Sequence, residues 1–443
     1  MTTRAEQGVP LDRNAIDSIL EKRNVDPAKA TIREMTTAVA EIESQLGCRY
    51  LRMEFGIPGL DPDPLAGRAE AEAHKDPRVI ATYPPIAGLP RLKEAASVFG
   101  KQFLNLEIPA EFVIPTVGSM QGGFLSQAVA GRRDPKKDRI LFIDPCFSVH
   151  RTQCRFLGLK EASVDLYDRD VWLDRVEDVC RKGDVGAVLY SSPNNPTWVI
   201  LKDAELERLG RICDKYDVIA VEDSAYLGMD FREDYSVPGK PPYPPTIANH
   251  TGNYILLISG SKIFSFAGQR VGMAFLSPSL SKKEFPGLAR HFGYTKFWDA
   301  FVMSGIYCVT SGVSSTPQIG LAAFLEAASS GELRFLETAR EYGRRAHFMR
   351  DVMMKNGFHL VYDHDLGEPL ADGFFFTFAY PGMTGARLVR ELLYYGISAT
   401  TLEIARSSRS EAVRACVSLI GEKDFPLFQQ RIETFRRDHP ARG

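Results

Sequence analysis

"SGSKIFSFAGQRVG", Ser259 to Gly272, surrounds one lysine with three serines, three glycines and an arginine. A solvated surface lysine needs no such neighbours. Hydroxyls, a guanidinium and bare glycine backbone can all bind an anion. The stretch therefore reads as a reactive amine, Lys262, held beside a bound anionic group. It continues from "YILLISG", an apolar run with the length and β-rich composition of a buried strand. The lysine thus stands just past the carboxyl end of a strand.

Working outward, the same pattern recurs from about Glu111 to Ser277. β-rich runs appear at "EFVIPTV", "DRILFID", "GAVLYSS", "YDVIAVED", "YILLISG" and "VGMAFLS". Helix-like segments such as "KDAELERLGRICDKY" lie between several of them. Strands alternating with helices predict an α/β fold, a mostly parallel sheet covered on both faces. The Pro- and Gly-rich "DYSVPGKPPYPPTIANHTGN" reads as a surface excursion from it. After about Ser315 the character changes. "LRFLETAREYGRRAHFMRDVMMKNG" predicts a long helix ended by Gly357. "FFFTFAY", a helix at "TGARLVRELLYYG" and "EAVRACVSLI" complete a smaller α+β domain. The expected division is a large domain over residues 61–314, with 1–60 and 315–443 forming the small domain and its N-terminal segment.

Bulk properties set the outer limits. The chain has 443 residues, which favours two domains over one core. Hydrophobic residues make up 44% and charged residues 25%, as in a soluble globular protein. The net charge of −2 gives no reason to expect nucleic acid or an anionic membrane as partner. The N-terminal "MTTRAEQGVPLDRNAIDSIL" lacks the apolar core of a secretory signal, and no apolar run is long enough to span a bilayer. Seven cysteines without a C-x-x-C pair suggest thiols in a reducing cytoplasm, not a disulfide framework or a structural zinc site. The eight histidines show no H-E-x-x-H spacing, so no metal is expected.

Ligands of open α/β sheets bind outside the carboxyl ends of the strands. After "EFVIPTV" comes "GSMQGG", a glycine-rich turn opening a helix. Its free N–H groups can take a phosphate, or Ser119 can simply be an N-cap. Phe147 in "PCFSVH" can stack on a flat ring or belong to the core. Asn194 and Asn195 in "PNNPT" are ordinary turn residues or amide donors to a ligand oxygen. Glu222 and Asp223, at the end of "YDVIAVED", can cap a helix or hold a proton on a ligand nitrogen. Each feature has a plain structural explanation. Together they set phosphate donors, an aromatic face, an amide, a carboxylate, a phenol and an amine along one sheet edge. Pyridoxal phosphate needs that set, because a lysine Schiff base and an aspartate on the pyridinium nitrogen are its protein signature.

The order of these motifs resembles the class I/II aminotransferases, fold type I pyridoxal-phosphate enzymes of the aspartate aminotransferase superfamily. The resemblance runs from about Glu54 into the C-terminal region. "SGSKIFSFAGQRVG" is similar to the family's S-x-S-K-x-x-x-x-x-G-x-R-x-G segment, with "NNPT" and "DSAY" upstream in the same order. The resemblance implies that Lys262 forms the Schiff base and that Asp223 pairs with the pyridine nitrogen. It further implies that Tyr226 and Asn195 contact the ring oxygen and that Phe147 stacks on the ring. Ser119, Met120 through its backbone, Ser259 and Arg270 would hold the phosphate. "YPPIAGLPRLKEA" resembles the segment whose tyrosine, here Tyr83, reaches the phosphate of a neighbouring subunit, which implies a homodimer. Gly56 in "FGIPGLDP" would lie near the substrate carboxylate, and Arg414 in "AVRACVSL" would clamp it. Glu411 or Glu403 pairing with Arg414 is the structural alternative. Two departures bear on the substrate: Trp198 replaces the glycine that usually follows N-P-T, and residues 230–253 are rich in proline. We expect Trp198 to line the pocket.

The implied reaction moves an amino group between an L-amino acid and a 2-oxo acid, with Lys262 as the proton-carrying base. A β- or γ-eliminating lyase, a decarboxylase or a racemase would share the same lysine and aspartate. An aminotransferase-like regulator is disfavoured, because only about 50 residues precede the resemblance.

Overall fold

Seven strands form the central sheet: β1 Val113–Thr116, β2 Arg139–Asp144, β3 Lys160–Asp165, β4 Val185–Ser191, β5 Ile219–Ser224, β6 Tyr254–Ser259 and β7 Gly272–Leu276. The computed structural model describes residues 8–440, so Met1–Gln7 and the last three residues, which include the outer ends of the expected small domain, lie outside the described residues. The strand order is β1-β7-β6-β5-β4-β2-β3. All neighbours are parallel except at β7, which runs antiparallel to both β1 and β6. The expected α/β fold with a mostly parallel sheet is therefore what the chain forms. The runs β4 to β7 are buried along their whole length, as strands covered on both faces must be.

β3 is the strand that the six β-rich runs omit. Its sequence is KEASVD, only Val164 is buried, and it sits at the sheet edge. An edge strand needs one partner and little apolar surface, so it leaves no hydrophobic run to read.

A second, antiparallel sheet comprises β8 His359–Leu360, β9 Phe375–Ala379, β10 Thr400–Thr401 and β11 Val413–Cys416, in the order β10-β11-β9-β8. The long helix spans Phe335–Lys355, and Gly357 follows it at φ +84, a left-handed conformation suited to glycine. The N-terminal helix Ile32–Leu46 starts with a Thr31/Glu34 capping box. Leu51–Arg52 then pairs in parallel with Ile397–Ser398, and the Leu11 N–H donates to the Tyr394 carbonyl at 2.6 Å. These contacts tie the N-terminal segment to the C-terminal part of the chain. The helix Ser315–Ser330 packs against Pro64–Ala73 and Pro90–Leu104.

The proline-rich excursion is only partly superficial. Its later part turns inward: Thr246, Ile247 and Ala248 are buried. The Ile247 N–H and Thr246 Oγ1 donate to Glu222 Oε2 at 2.8 and 3.2 Å. A carboxylate in the sheet anchors the excursion, which its composition alone does not show.

Candidate active site

The parallel order brings β4, β5 and β6 side by side, so the residues beyond their carboxyl ends meet. A cavity of about 340 Å³ lies there. Lys262, Asp223, Tyr226, Asn195, Ser259 and Arg270 line it, as do Ser119, Met120 and Phe147. Gly56 and Arg414 reach the same cavity from the small-sheet side. Two expected site residues are elsewhere. Tyr83 is 88% exposed and not part of the wall. Trp198 is fully buried behind it.

The alternation of a β-strand separates the two adjacent carboxylates of β5. Glu222 turns into the structure and binds Tyr190, Ser224, Thr246 and Ile247. Burial pushes its carboxyl above the usual range. Asp223 turns to the cavity. Its Oδ2 meets His150 Nε2 at 3.0 Å, while its Oδ1 is buried without a hydrogen-bond partner. An orphaned carboxylate oxygen at a cavity wall fits a protonated ring nitrogen. The two asparagines separate likewise. Asn194 is a tie, donating to the Pro145 carbonyl at 3.0 Å and accepting from the Thr197 N–H at 3.0 Å and its Oγ1 at 2.8 Å. Asn195 is the one that faces the cavity, as Tyr226 does.

At the other end of the cavity the helix Gly118–Ala130 begins with Val117 as N-cap and no capping side chain. Ser119 is therefore in the first turn and is not the cap. Gly118 has φ +65, and a Cβ there would lie 2.7 Å from Arg270 Nη2. The guanidinium is thus packed onto the uncapped helix start. Arg270 donates to the Ala267 carbonyl at 3.0 Å and, among the described residues, has no carboxylate partner. Two positive poles face the same space, which suits a phosphate. Ser259 caps the short helix Gly260–Ile263, accepting from the Ser261 N–H at 3.1 Å, and Lys262 projects from that helix. Phe147 is half-buried at the wall, with its ring edge-on to His150 at 5.6 Å.

Burial lowers the pKa of Lys262 to about 8; nearby Arg270 and Arg414 push it the same way, against Asp223. The amine is protonated and unreactive below that value and free above it. Capture of an aldehyde by the apo-protein should therefore rise as pH passes about 8, well below the pH at which an ordinary lysine amine is freed. The capture rate measured from about pH 6 to about 10 tests this. A midpoint near the ordinary lysine value would refute it.

Arg414, in β11, is 4% exposed. Its Nη2 donates to the Glu54 carbonyl and its Nη1 to Asn195 Oδ1 at 3.3 Å, while its Nε has no partner. Among the described residues no carboxylate pairs with it; Glu411 is engaged by Arg409 at 2.5 Å. A buried guanidinium without an anion is costly, so the structure leaves room for one.

Trp198 corrects one expectation. It does not line the cavity. Its ring lies edge-on to Tyr226 at 5.4 Å and to Phe375 at 6.1 Å, and a Cβ on Gly373 would meet it at 2.0 Å. Its backbone is left-handed, φ +69, which explains why glycine suits this position. Trp198→Gly relieves roughly 1–2 kcal/mol of backbone strain and loses about 3–5 kcal/mol of packing. The variant should therefore unfold at lower denaturant by a net of about 1–4 kcal/mol. Unchanged stability would show that Trp198 is not a packing residue.

Two groups at the site escape the sequence reading. His150 holds Asp223 and is itself met by Gln153 Oε1 at 3.1 Å; Gln153 Nε2 in turn donates to the Met120 carbonyl at 2.8 Å. Its spacing of three residues from Phe147 along one helix was the available signal. Ile32 and Arg33, from the N-terminal helix, also line the cavity.

The profile of the class I and II aminotransferases matches residues 54–420, and the chain belongs to that family. The aspartate/prephenate aminotransferase of Thermus thermophilus is 28% identical over 280 residues, 62% of this chain and 63% of that protein. The aspartate aminotransferase of Pyrococcus horikoshii is 26% identical over 208 residues, 46% of this chain and 50% of its own length. The chain thus spans between half and just under two thirds of these curated relatives. The Thermus thermophilus aspartate aminotransferase solved with maleate superposes with a TM-score of 0.73, covering 94% of this chain and 98% of that one at 19% identity, a likeness of fold. Class I and II aminotransferases of this fold use pyridoxal phosphate. Among the described residues no helix is long and apolar enough to cross a membrane.

Proposed function

We propose that the protein is an aminotransferase that carries pyridoxal phosphate on Lys262 and moves an amino group between an L-amino acid and a 2-oxo acid. One observation carries the reading. A single cavity gathers a lysine of lowered pKa, an orphaned carboxylate oxygen, and Arg270 and Arg414, neither of which has a carboxylate partner among the described residues. These are the groups that the cofactor and a substrate carboxylate would complete.

The residues divide the work by position. Asp223 Oδ1 would hold the proton on the ring nitrogen, with His150 fixing that carboxylate through Oδ2. Asn195 and Tyr226 would meet the ring oxygen, and Phe147 would cover the ring face. Ser119, the Met120 backbone, Ser259 and Arg270 would hold the phosphate. Arg414 would bind the substrate α-carboxylate, with the Gly56 backbone beside it. Bound pyridoxal phosphate supplies the electron sink for charge developing at the substrate Cα. Lys262 Nζ would take the proton from that Cα and return it, which its lowered pKa allows at a lower pH than an ordinary lysine would.

The test is a half-reaction with each amino acid. We expect about one equivalent of 2-oxo acid per site without a second oxo acid present, and continued turnover when one is added. Ammonia release would replace the reading with elimination, and carbon dioxide release would replace it with decarboxylation.

The working unit we propose is a homodimer in a reducing cytoplasm. The exposure of Tyr83 supports a partner, since its hydroxyl has no role in its own subunit's cavity. Mixing Tyr83→Phe and Lys262→Ala proteins should restore up to about a quarter of wild-type sites, because about half the dimers are then mixed and each holds one intact site. No recovery after demonstrated subunit exchange would count against shared sites. The two-domain division over 61–314 and 1–60 with 315–443 belongs to the same proposal. Its two sheets support it, although the packing of Ser315–Ser330 favours a boundary nearer Gly331.

A further inference from the structure

Trp198 is held in place at a cost. Its backbone is left-handed at φ +69, a conformation that strains any residue with a side chain. Its indole Nε1 is buried with no hydrogen-bond partner among the described residues. Its ring needs a bare glycine beside it, since a Cβ on Gly373 would lie 2.0 Å away. The backbone under the ring is tied: the Trp198 N–H donates to the Asn194 carbonyl at 2.8 Å, and the Asn194 N–H to the Val199 carbonyl at 2.9 Å. A ring on a fixed base, forced between Gly373 and Tyr226, acts as a wedge. Strain of this kind collects at functional sites, so what the wedge bears on matters.

It bears on Tyr226. That ring is bounded by Trp198, Phe374 and Phe375, each with its centroid at 5.4 Å. Trp198 alone of the three stands in the turn that carries Asn195. Tyr226 lines the cavity, and burial pushes its phenol well above the ordinary value, so it stays a protonated donor. An aromatic ring turns as one rigid body. Where the wedge sets the ring is therefore where the hydroxyl points. We propose that Trp198 is a positioning residue: through the Tyr226 ring it fixes the hydroxyl against the cofactor's ring oxygen, and so sets how tightly the Schiff base on Lys262 holds its proton. The inference rests on the proposed function for the cofactor and for the place of Tyr226. The sign follows from charge. A phenol that donates to the ring oxygen draws off negative charge. A tilted phenol donates less, the oxygen keeps more charge, and the neighbouring Schiff-base proton is held to higher pH.

The test is the absorbance of the cofactor-loaded protein against pH, which reads the protonated and free forms of the Schiff base without turnover. Trp198→Phe keeps the strained backbone and shortens the wedge. Its midpoint should lie above that of the wild type by about half a pH unit. Trp198→Gly removes the wedge, and its midpoint should rise by about one pH unit. If Trp198→Gly does not stay folded, Trp198→Phe decides alone. Tyr226→Phe removes the hydroxyl and should raise the midpoint by itself. Adding Trp198→Phe to it should bring no further rise, because Trp198 acts through that hydroxyl. A residue that only packs would lower stability and leave the midpoint in place. An unmoved midpoint in folded Trp198→Phe overturns the inference. So does an equal rise from Trp198→Phe with and without the Tyr226 hydroxyl. If the midpoints move as expected but the wild type releases no 2-oxo acid from any amino acid, the amino-transfer reading fails and the positioning stands. A protein that takes up no pyridoxal phosphate overturns both.

Discussion

Lys262→Ala is expected to lower the amino-transfer half-reaction by at least about ten-thousandfold, the upper range for a lost general base, with loss of the covalent anchor added. The variant should still bind pyridoxal phosphate, because Asp223, Asn195, Ser119 and Arg270 do not depend on the amine for their positions. What should vanish is the borohydride-reducible bond to the peptide containing Ser259–Gly272. Stability separates this loss from misfolding. Burial disfavours the charged amine in the folded state. Removing it takes away an unfavourable term near neutral pH, so the apo-variant should be no less stable than the apo wild type. A reducible adduct on the same peptide in the variant would overturn the assignment. So would a rate loss of less than about tenfold, well below what a general base contributes.

The reach of the sequence follows from physical differences between elements. β4 to β7 are legible because strands covered on both faces must be apolar throughout. β3 is not, because an edge strand with five polar or small residues satisfies the same sheet geometry. The lysine, aspartate and asparagine of the site are legible because parallel strands bring their carboxyl ends to one side whatever their order. Which member of Glu222/Asp223 faces the cavity depends on strand register, and which of Asn194/Asn195 does depends on a turn. Neither is written in composition. Trp198 shows the opposite error. Nearness in sequence to Asn195 suggested a wall residue, but its left-handed backbone carries the ring behind Tyr226. Arg33 was invisible for another reason: the helix bearing it is about 160 residues from Asn195, and tertiary packing alone joins them.

Arg414 should give the second large effect. Its two terminal nitrogens are partly used, on the Glu54 carbonyl and on Asn195 Oδ1. Neither acceptor carries a full charge that would neutralise the guanidinium. Burial lowers its pKa, as expected for a cation waiting for an anion. Truncating one member of a buried charge pair costs about 2–5 kcal/mol, or roughly 30-fold to several thousandfold in affinity. Arg414→Ala should therefore raise KM by at least about 30-fold for every amino acid. Arg414→Lys keeps a cation but not the fork, and its rise should be smaller, about tenfold. The pattern across substrates is the sharper measurement. The α-carboxylate is common to all of them, so the ranking among amino acids should survive in Arg414→Lys. If Arg414→Lys leaves kcat/KM unchanged at equal cofactor occupancy, the clamp is elsewhere. If it penalises some amino acids and spares others, Arg414 meets the side chain and not the α-carboxylate.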